Sequence, residues 1–150
     1  MLYRLSYVGG ASSDSICYNF GARAMPTITD VLEQALRRYT RISPAQAAEE
    51  QELGALLVDT RTSDQRSRDG AIPGALVIDR TILEWRLDPT SPHHIPEARD
   101  HDVRVMLICA QGFSSILAAA SLLDLGLHNT TDVIGGFEAW RTAGLPVERA

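Results

Sequence analysis

The sequence's strongest candidate for covalent chemistry is Cys109, which ends an apolar run and opens the segment Cys-Ala-Gln-Gly-Phe-Ser-Ser. The apolar run predicts a buried strand, and the residues from Ile116 onward have helical spacing. The cysteine therefore falls in a short loop between a strand and a helix N-terminus. In such a loop, successive backbone N–H groups converge and favour an anion. We expect the thiol to be acidified there and to act as a thiolate nucleophile.

The loop after Cys109 has residue types that suit an anion cradle. Gly112 could supply a turn with positive φ, and Ser114 or Ser115 could donate a hydroxyl or cap the helix. A cysteine at the end of a buried strand is also commonly a small core residue, and position alone leaves the two interpretations about equal. The Gly-Phe-Ser-Ser continuation favours a functional cysteine, because a packing role requires no anion cradle. This chemistry requires no metal and no cofactor.

Asp59 and Arg61 end a second predicted strand, Ala-Leu-Leu-Val-Asp-Thr-Arg at 55–61. Because parallel strands place their carboxyl ends at one edge of a sheet, both side chains should lie beside Cys109. The simpler interpretation is an ion pair that fixes a loop. The functional interpretation is that the pair supports the Cys109 loop or contacts a donor.

The histidines do not predict a metal site. His93, His94 and His101 lie in a Pro-rich loop without the fixed spacing of metal ligands. Cys17 and Cys109 are far apart and match neither a disulfide framework nor a zinc motif. We therefore expect no metal and treat Cys17 as an incidental thiol.

The surrounding segments alternate between helical and strand patterns, which predicts an α/β fold with a central, mainly parallel sheet flanked by helices. The run at 103–108 is almost continuously apolar, as in a central strand covered on both faces. A capping box is expected at Thr27 with Asp30, and an N-cap at Ser43. Arg37, Arg38 and Arg41 are predicted on the outer face of the first helix. The other predicted strands are 75–79 and 131–134. Helices are predicted at 28–39, 44–53, 82–87 and 116–125, and a short helix is predicted within 135–144.

Composition limits the class of protein. The chain has 150 residues, 45% of them hydrophobic, and a net charge of −5 with no lysine. It fits one globular domain, and an acidic surface disfavours nucleic acid or an anionic membrane as partner. No apolar run is long enough to span a bilayer. Residues 1–24 lack periodicity and are predicted to be a loosely structured leader before a single domain at 25–150. We expect a cytoplasmic protein, and the oligomeric state stays open.

Four segments together resemble one known family. Residues 42–147 are similar to a single-domain rhodanese, a sulfurtransferase module. The strand end Asp-Thr-Arg resembles the family's Asp-x-Arg, and Gly-Ala-Ile-Pro-Gly-Ala at 70–75 resembles its Ile-Pro-Gly-Ala segment. The run at 109–115 resembles the six-residue active-site loop that begins with the catalytic cysteine. The segment at 135–147 matches Gly-Gly-x-x-x-Trp-x-x-x-Gly-x-Pro.

The resemblance implies a mechanism. Cys109 would attack the outer sulfur of a donor such as thiosulfate, hold it as a persulfide and pass it to cyanide or a thiol. The persulfide is anionic, and backbone amides in the loop would stabilise it. The implied substrate-binding residues are Ala110, Gln111, Gly112, Phe113, Ser114 and Ser115.

The sequence also departs from the family's pattern. Many rhodaneses carry Arg or Lys five residues after the cysteine, where this chain has Ser114. A missing cation should weaken binding of a dianionic donor. The alternative is a rhodanese-fold binding or regulatory module without turnover. Phosphatase chemistry on the related scaffold uses the motif His-Cys-x-x-x-x-x-Arg. In this chain Ile108 precedes the cysteine, and Ser115 occupies the position of the arginine. A phosphoryl group would therefore lack the guanidinium that binds it in that motif.

Overall fold

A computed structural model describes residues 24–150, which form a four-stranded parallel sheet with helices on both faces. The strand order is β2-β1-β3-β4, and all three neighbouring pairs are parallel. The fold predicted from the sequence is confirmed. The strands are β1 (Leu56–Asp59), β2 (Leu76–Val77), β3 (Val105–Ile108) and β4 (Thr130–Asp132).

Two apolar clusters, one on each face of the sheet, form the core. Successive residues of a strand point to opposite faces, so Val105 and Leu107 join one cluster while Met106 and Ile108 join the other. This explains the nearly continuous apolar run of β3, whose four residues are all buried. The helices are α1 (Ile28–Leu36), α2 (Pro44–Glu52), α3 (Ser63–Asp69), α4 (Leu83–Leu87), α5 (Ser114–Asp124) and α6 (Gly136–Thr142).

Both predicted helix starts are confirmed. Thr27 caps α1 in a capping box with Asp30, and Ser43 caps α2 in a capping box with Gln46. The side-chain oxygen of each cap residue accepts from a backbone N–H that has no partner inside the helix.

The first helix ends earlier than its pattern predicts. Helix α1 stops at Leu36, so Tyr39 and Arg41 lie in the connection to α2. The prediction that Arg41 lies on the outer face of this helix is therefore wrong. Its neighbour Ile42 pairs with Val133 in an isolated bridge, which draws the connection to the edge of β4.

Helix α3 is not among the helices predicted from the sequence. The helix has no buried residue and hence no apolar periodicity to reveal it. Its start is nevertheless encoded, because Thr62 and Gln65 form a capping box. All four strands are shorter than predicted. The runs at 55–61 and 103–108 contain Leu56–Asp59 and Val105–Ile108, the run at 75–79 contains only Leu76–Val77, and the last strand is Thr130–Asp132 and not 131–134.

The predicted leader lies outside the described residues except for Ala24, and Cys17 lies outside them too. Within residues 24–150, none of the helices is long and apolar enough to cross a membrane.

Candidate active site

Cys109 lies directly after the central strand β3, at the start of the loop that leads into α5. The side chain is buried, and it forms no disulfide with any residue of the described range 24–150. The backbone N–H of Gly112 donates to the sulfur at 3.1 Å, and the Cys109 thiol donates to the Ser115 hydroxyl oxygen at 3.2 Å. The strand-loop-helix arrangement expected from the sequence is present.

Hydrogen bonds acidify this thiol despite its burial. Burial raises the pKa of Cys109, but the Ser114 and Ser115 hydroxyls and the backbone amides of Ser115 and Gly112 lower it, and the net pKa lies below that of an ordinary cysteine. Each of these donors stabilises the charged sulfur in preference to the neutral thiol. The loop therefore increases the thiolate fraction at neutral pH.

A second glycine-containing turn fixes the shape of the loop. Gly112 has φ +81°, and a Cβ there would lie 2.6 Å from the backbone nitrogen of Gly135. Gly136, the first residue of α6, has φ +60° and would bring a Cβ against the carbonyl oxygen of Cys109. The Phe137 N–H donates to that carbonyl at 2.8 Å. The two backbones can approach this closely only because glycine has no side chain.

Asp59 and Arg61 form a fully buried ion pair at 2.7 Å. The Arg61 guanidinium also donates to the Gly70 carbonyl at 2.9 Å and lies 3.6 Å from the centre of the Phe137 ring. The pair thus joins β1 to the end of α3 and to α6, as expected of an ion pair that fixes a loop. The Nη1 atom of Arg61 is buried and has no hydrogen-bond partner among the described residues.

A cavity of about 220 Å³ opens beside Cys109. Its volume suits a small anion or the end of a thiol. Among the predicted substrate-binding residues, Gly112 and Ser115 are buried and do not line the cavity. Phe113 forms part of the rim and is 63% exposed. The cavity is lined by Thr60, Arg61, Gln65, Cys109, Ala110, Gln111, Phe113 and Ser114.

Neither serine caps helix α5. Its N-cap residue is Phe113, whose side chain makes no capping hydrogen bond. The expectation that Ser114 or Ser115 caps the helix is wrong. Ser115 instead donates its hydroxyl to the Asp132 carboxylate at 2.7 Å.

Asp132 and two of its partners, Tyr39 and Arg41, were not identified as site residues from the sequence. Asp132 is fully buried at the end of β4 and accepts from the Tyr39 hydroxyl at 2.9 Å and from the Arg41 guanidinium at 2.8 Å. A carboxylate at the end of a buried strand needs a charged partner. The position of Asp132 in the sequence was therefore the signal that could have identified an ion pair here. The partner lies 91 residues away in sequence, and no local pattern identifies it.

The histidines form no metal centre in the part of the chain that the structure describes. Residues 24–150 contain no group of three or more His, Cys, Asp or Glu side chains placed to hold a metal ion. The Nδ1 of His94 donates to the Ser91 carbonyl at 2.6 Å, and His128 pairs with Asp102.

Comparison with known proteins identifies the family. The model of the rhodanese-like domain matches residues 43–143, close to the 42–147 resemblance in the sequence. The chain is 35% identical over 113 residues to the thiosulfate sulfurtransferase GlpE of Actinobacillus succinogenes, covering 75% of this chain and 93% of the relative.

Two solved structures are similar to the fold. A Rhodopseudomonas palustris protein of unknown function, described as a possible tyrosine phosphatase, superimposes with a TM-score of 0.75 at 34% identity and covers 84% of this chain and 97% of its own. A rhodanese-related protein from Thermoplasma volcanium gives a TM-score of 0.60 at 27% identity, covering 75% of this chain and all of its own. On its sequence, its fold and the match over residues 43–143, the chain belongs to the rhodanese-like domain family.

Proposed function

We propose that this protein is a sulfurtransferase that moves sulfane sulfur from a donor such as thiosulfate to cyanide or a thiol, with Cys109 as nucleophile. The observation that carries the proposal is the acidified Cys109 thiol, which lines a small cavity at the carboxyl end of the central strand. The curated relatives named thiosulfate sulfurtransferase support the reaction and the donor.

The first half-reaction transfers one sulfur atom to the protein. The Cys109 thiolate attacks the outer sulfur of thiosulfate, and a new S–S bond forms. The bond between the two thiosulfate sulfurs breaks, and its electron pair leaves with sulfite. The product is a Cys109 persulfide whose terminal sulfur carries the negative charge.

The second half-reaction returns the protein to its starting state. Cyanide or a thiolate acceptor attacks the terminal sulfur, and the persulfide S–S bond breaks with its electron pair on Cys109. The product is thiocyanate or an acceptor persulfide, and the thiolate is regenerated. No metal or organic cofactor takes part in this scheme.

The residues around the sulfur have distinct roles in the proposal. The loop formed by residues 110–115 binds the donor and the anionic persulfide through its backbone amides, with Gly112 donating directly to the sulfur. Asp59 and Arg61 support the side of the cavity that faces this loop. The buried Nη1 of Arg61 still has a donor available.

Two alternatives receive less support. A binding module without turnover is not favoured, because the relatives that match most of the chain are named as sulfurtransferases. For phosphatase chemistry, position 115 is a serine whose hydroxyl donates to Asp132. A phosphoryl dianion would lack the bidentate guanidinium it requires at this position.

We also propose a cytoplasmic location. A free thiol nucleophile functions only where it stays reduced, and Cys109 is unpaired. The small donor and acceptor molecules of the proposed reaction are the expected partners.

The decisive experiment compares two cysteine variants. We expect Cys109→Ser to abolish thiocyanate production from thiosulfate and cyanide, whereas Cys17→Ser retains it. Mass spectrometry after thiosulfate treatment should show one added sulfur atom on Cys109. Equal losses in both variants would mean that two thiols cooperate, and a wild-type protein that never gains sulfur would contradict the proposed function.

A further inference from the structure

Two groups that hydrogen-bond with the Cys109 sulfur come from its own loop and helix and lie within 3.2 Å of it. They are the Gly112 N–H at 3.1 Å and the Ser115 hydroxyl at 3.2 Å. Stabilisation of a thiolate or persulfide is effective only if such groups are fixed in place before reaction. What fixes them therefore bears directly on the rate of sulfur transfer.

One ion pair outside the cavity holds both of these partners. Asp132 accepts the Ser115 hydroxyl at 2.7 Å, and Arg41 binds Asp132 through Nε and Nη2, each at 2.8 Å. The same Nη2 donates to the carbonyl oxygen of Gly112 at 2.7 Å. Arg41 thus connects the carboxylate that binds Ser115 to the residue whose N–H contacts the sulfur.

The hydrogen-bond pattern suits both charge states of the sulfur. In the neutral state the Cys109 thiol donates to Ser115, and the single Ser115 proton points to Asp132. When the sulfur is an anion, that hydroxyl can rotate to donate to it. Asp132 remains satisfied, because it still accepts two bonds from Arg41 and one from Tyr39.

The donors to Asp132 keep their protons throughout this exchange. Burial and the neighbouring carboxylate raise the pKa of Tyr39, so its hydroxyl remains a donor at neutral pH. The hydrogen bond to Asp132 raises the pKa of Arg41, which also feels the charge of Cys109. Arg41 therefore compensates a buried carboxylate that would otherwise repel an anionic sulfur.

The other ionisable side chains near Cys109 have separate partners. Asp59 binds Arg61 on the opposite wall. Glu138, on α6, accepts from Gln111 at 3.2 Å. Neither of these contacts reaches the Gly112 carbonyl or the Ser115 hydroxyl.

We propose that Arg41 and Asp132 are positioning residues for sulfur transfer, which fix the Gly112 amide and the Ser115 hydroxyl against the Cys109 sulfur and keep the buried charge balanced. The inference rests on the proposed function and extends it to two residues outside the cavity. Arg41 is not among the residues that line the cavity, so it acts through Gly112 and Ser115 and not through direct contact with the donor.

The test is Arg41→Gln in the full chain, with Cys17→Ser as the shared background. We expect the rate of sulfite release at saturating thiosulfate to fall about tenfold, with the half-saturating thiosulfate concentration unchanged. The pKa of Cys109, read from the pH dependence of its alkylation by iodoacetamide, should rise, because Asp132 is left uncompensated.

The double variant Arg41→Gln with Asp132→Asn separates charge from positioning. It leaves no unpaired carboxylate, so the pKa of Cys109 should return toward that of the parent. The rate of sulfite release should stay low, because an amide pair cannot reproduce the bidentate contact and the bond to Gly112. Arg41→Lys keeps the positive charge but not the bidentate guanidinium, and it should give an intermediate rate of sulfite release.

Arg104→Gln is the matched control. Arg104 pairs with Glu50 at 2.7 Å, and its side chain is 29% exposed, against 21% for Arg41. It directly precedes β3, at the end of the strand opposite to Cys109. We expect the Arg104→Gln variant to have the parent's rate of sulfite release and the parent's Cys109 pKa.

Two results would overturn the inference. One is a folded Arg41→Gln or Arg41→Lys protein with the parent's rate and the parent's Cys109 pKa. The other is an equal loss in Arg104→Gln. Alkylation requires no sulfur transfer, so the pKa comparison tests the ion pair even if the parent forms no persulfide, a result that counts against the proposed function alone.

Discussion

At the scale of single residues, the site balances its charges by pairing. Both guanidinium groups near Cys109 are bound to buried carboxylates, Arg41 to Asp132 and Arg61 to Asp59. Their positive charges are therefore largely compensated. Stabilisation of an anionic sulfur falls mainly to backbone amides and serine hydroxyls, which are effective in a dry and fixed environment.

A cation added to the loop should therefore strengthen the use of thiosulfate. Ser114 is exposed, lines the cavity and begins α5. In Ser114→Arg the guanidinium can approach the dianionic donor, and a partly exposed contact of this kind contributes about 1 kcal/mol, or roughly fivefold in affinity. Steady-state kinetics should show a lower thiosulfate KM, with a gain that shrinks as salt is added.

Ser114→Gln is the control for this prediction, because it adds bulk and removes the hydroxyl without adding charge. No capping energy is lost in either variant, since Phe113 is the N-cap residue. An Arg variant that folds normally but has the KM of the Gln variant at low and high salt would show that missing charge does not limit this site.

At the scale of elements, the N-terminus of α6 supports the active-site loop. Gly135 and Gly136 lie against the loop so closely that side chains at Gly112 or Gly136 would meet backbone atoms. The second glycine of the family's Gly-Gly, Gly136, is thus explained by the approach of two backbones. The same turn carries the amide that binds the Cys109 carbonyl.

Gly136→Ala should destabilise the protein and reduce its activity together. The new Cβ would lie 2.7 Å from the Gly112 nitrogen, in a residue with φ +60°. We expect a loss of about 2–3 kcal/mol in the free energy of unfolding, from backbone strain and displacement of the loop. Urea titration and sulfite release measure the two effects.

Gly144→Ala provides the matched comparison. Gly144 also has a positive φ, +72°, but a Cβ there has nothing within 4 Å. It should lose about 1 kcal/mol, from the left-handed backbone alone, with activity unchanged. Equal losses of stability and activity in the two variants would contradict a supporting role for the α6 turn.

Elements were predictable where a local pattern encodes them. The apolar run of β3 and the capping boxes at Thr27 and Ser43 were identified because neighbouring residues carry the signal. Helix α3 was not, because it buries no residue and lacks a hydrophobic face. The C-terminal end of α1 was misplaced because Tyr39 continues the apolar spacing, although its hydroxyl binds Asp132.

At the scale of the whole molecule, the parallel sheet brings the site together from distant segments. The order β2-β1-β3-β4 places the ends of β1, β3 and β4 side by side, and with them Asp59, Cys109 and Asp132. The position of Cys109 follows from the sequence, since strand and loop are contiguous. The Arg41–Asp132 pair does not follow from the sequence, because it depends on how the segment before α2 pairs beside the end of β4.

The same organisation predicts where the chain can be shortened. A chain beginning at Met25 keeps the Thr27 capping box, α1 and both core clusters. We expect it to unfold cooperatively, with a melting temperature close to that of the full chain and with undiminished sulfite release. Thermal unfolding followed by circular dichroism measures this directly.

A chain beginning at Ile42 is the informative contrast. It keeps the Ile42–Val133 bridge and all four strands, but it loses α1, which packs against α5, together with Tyr39 and Arg41. Removing α1 uncovers part of α5 and leaves Asp132 without its cation, so we expect both the melting temperature and sulfite release to fall. If the chain beginning at Met25 instead loses as much stability as the one beginning at Ile42, then residues 1–24 contribute to the folded domain, and the prediction of a loosely structured leader is wrong.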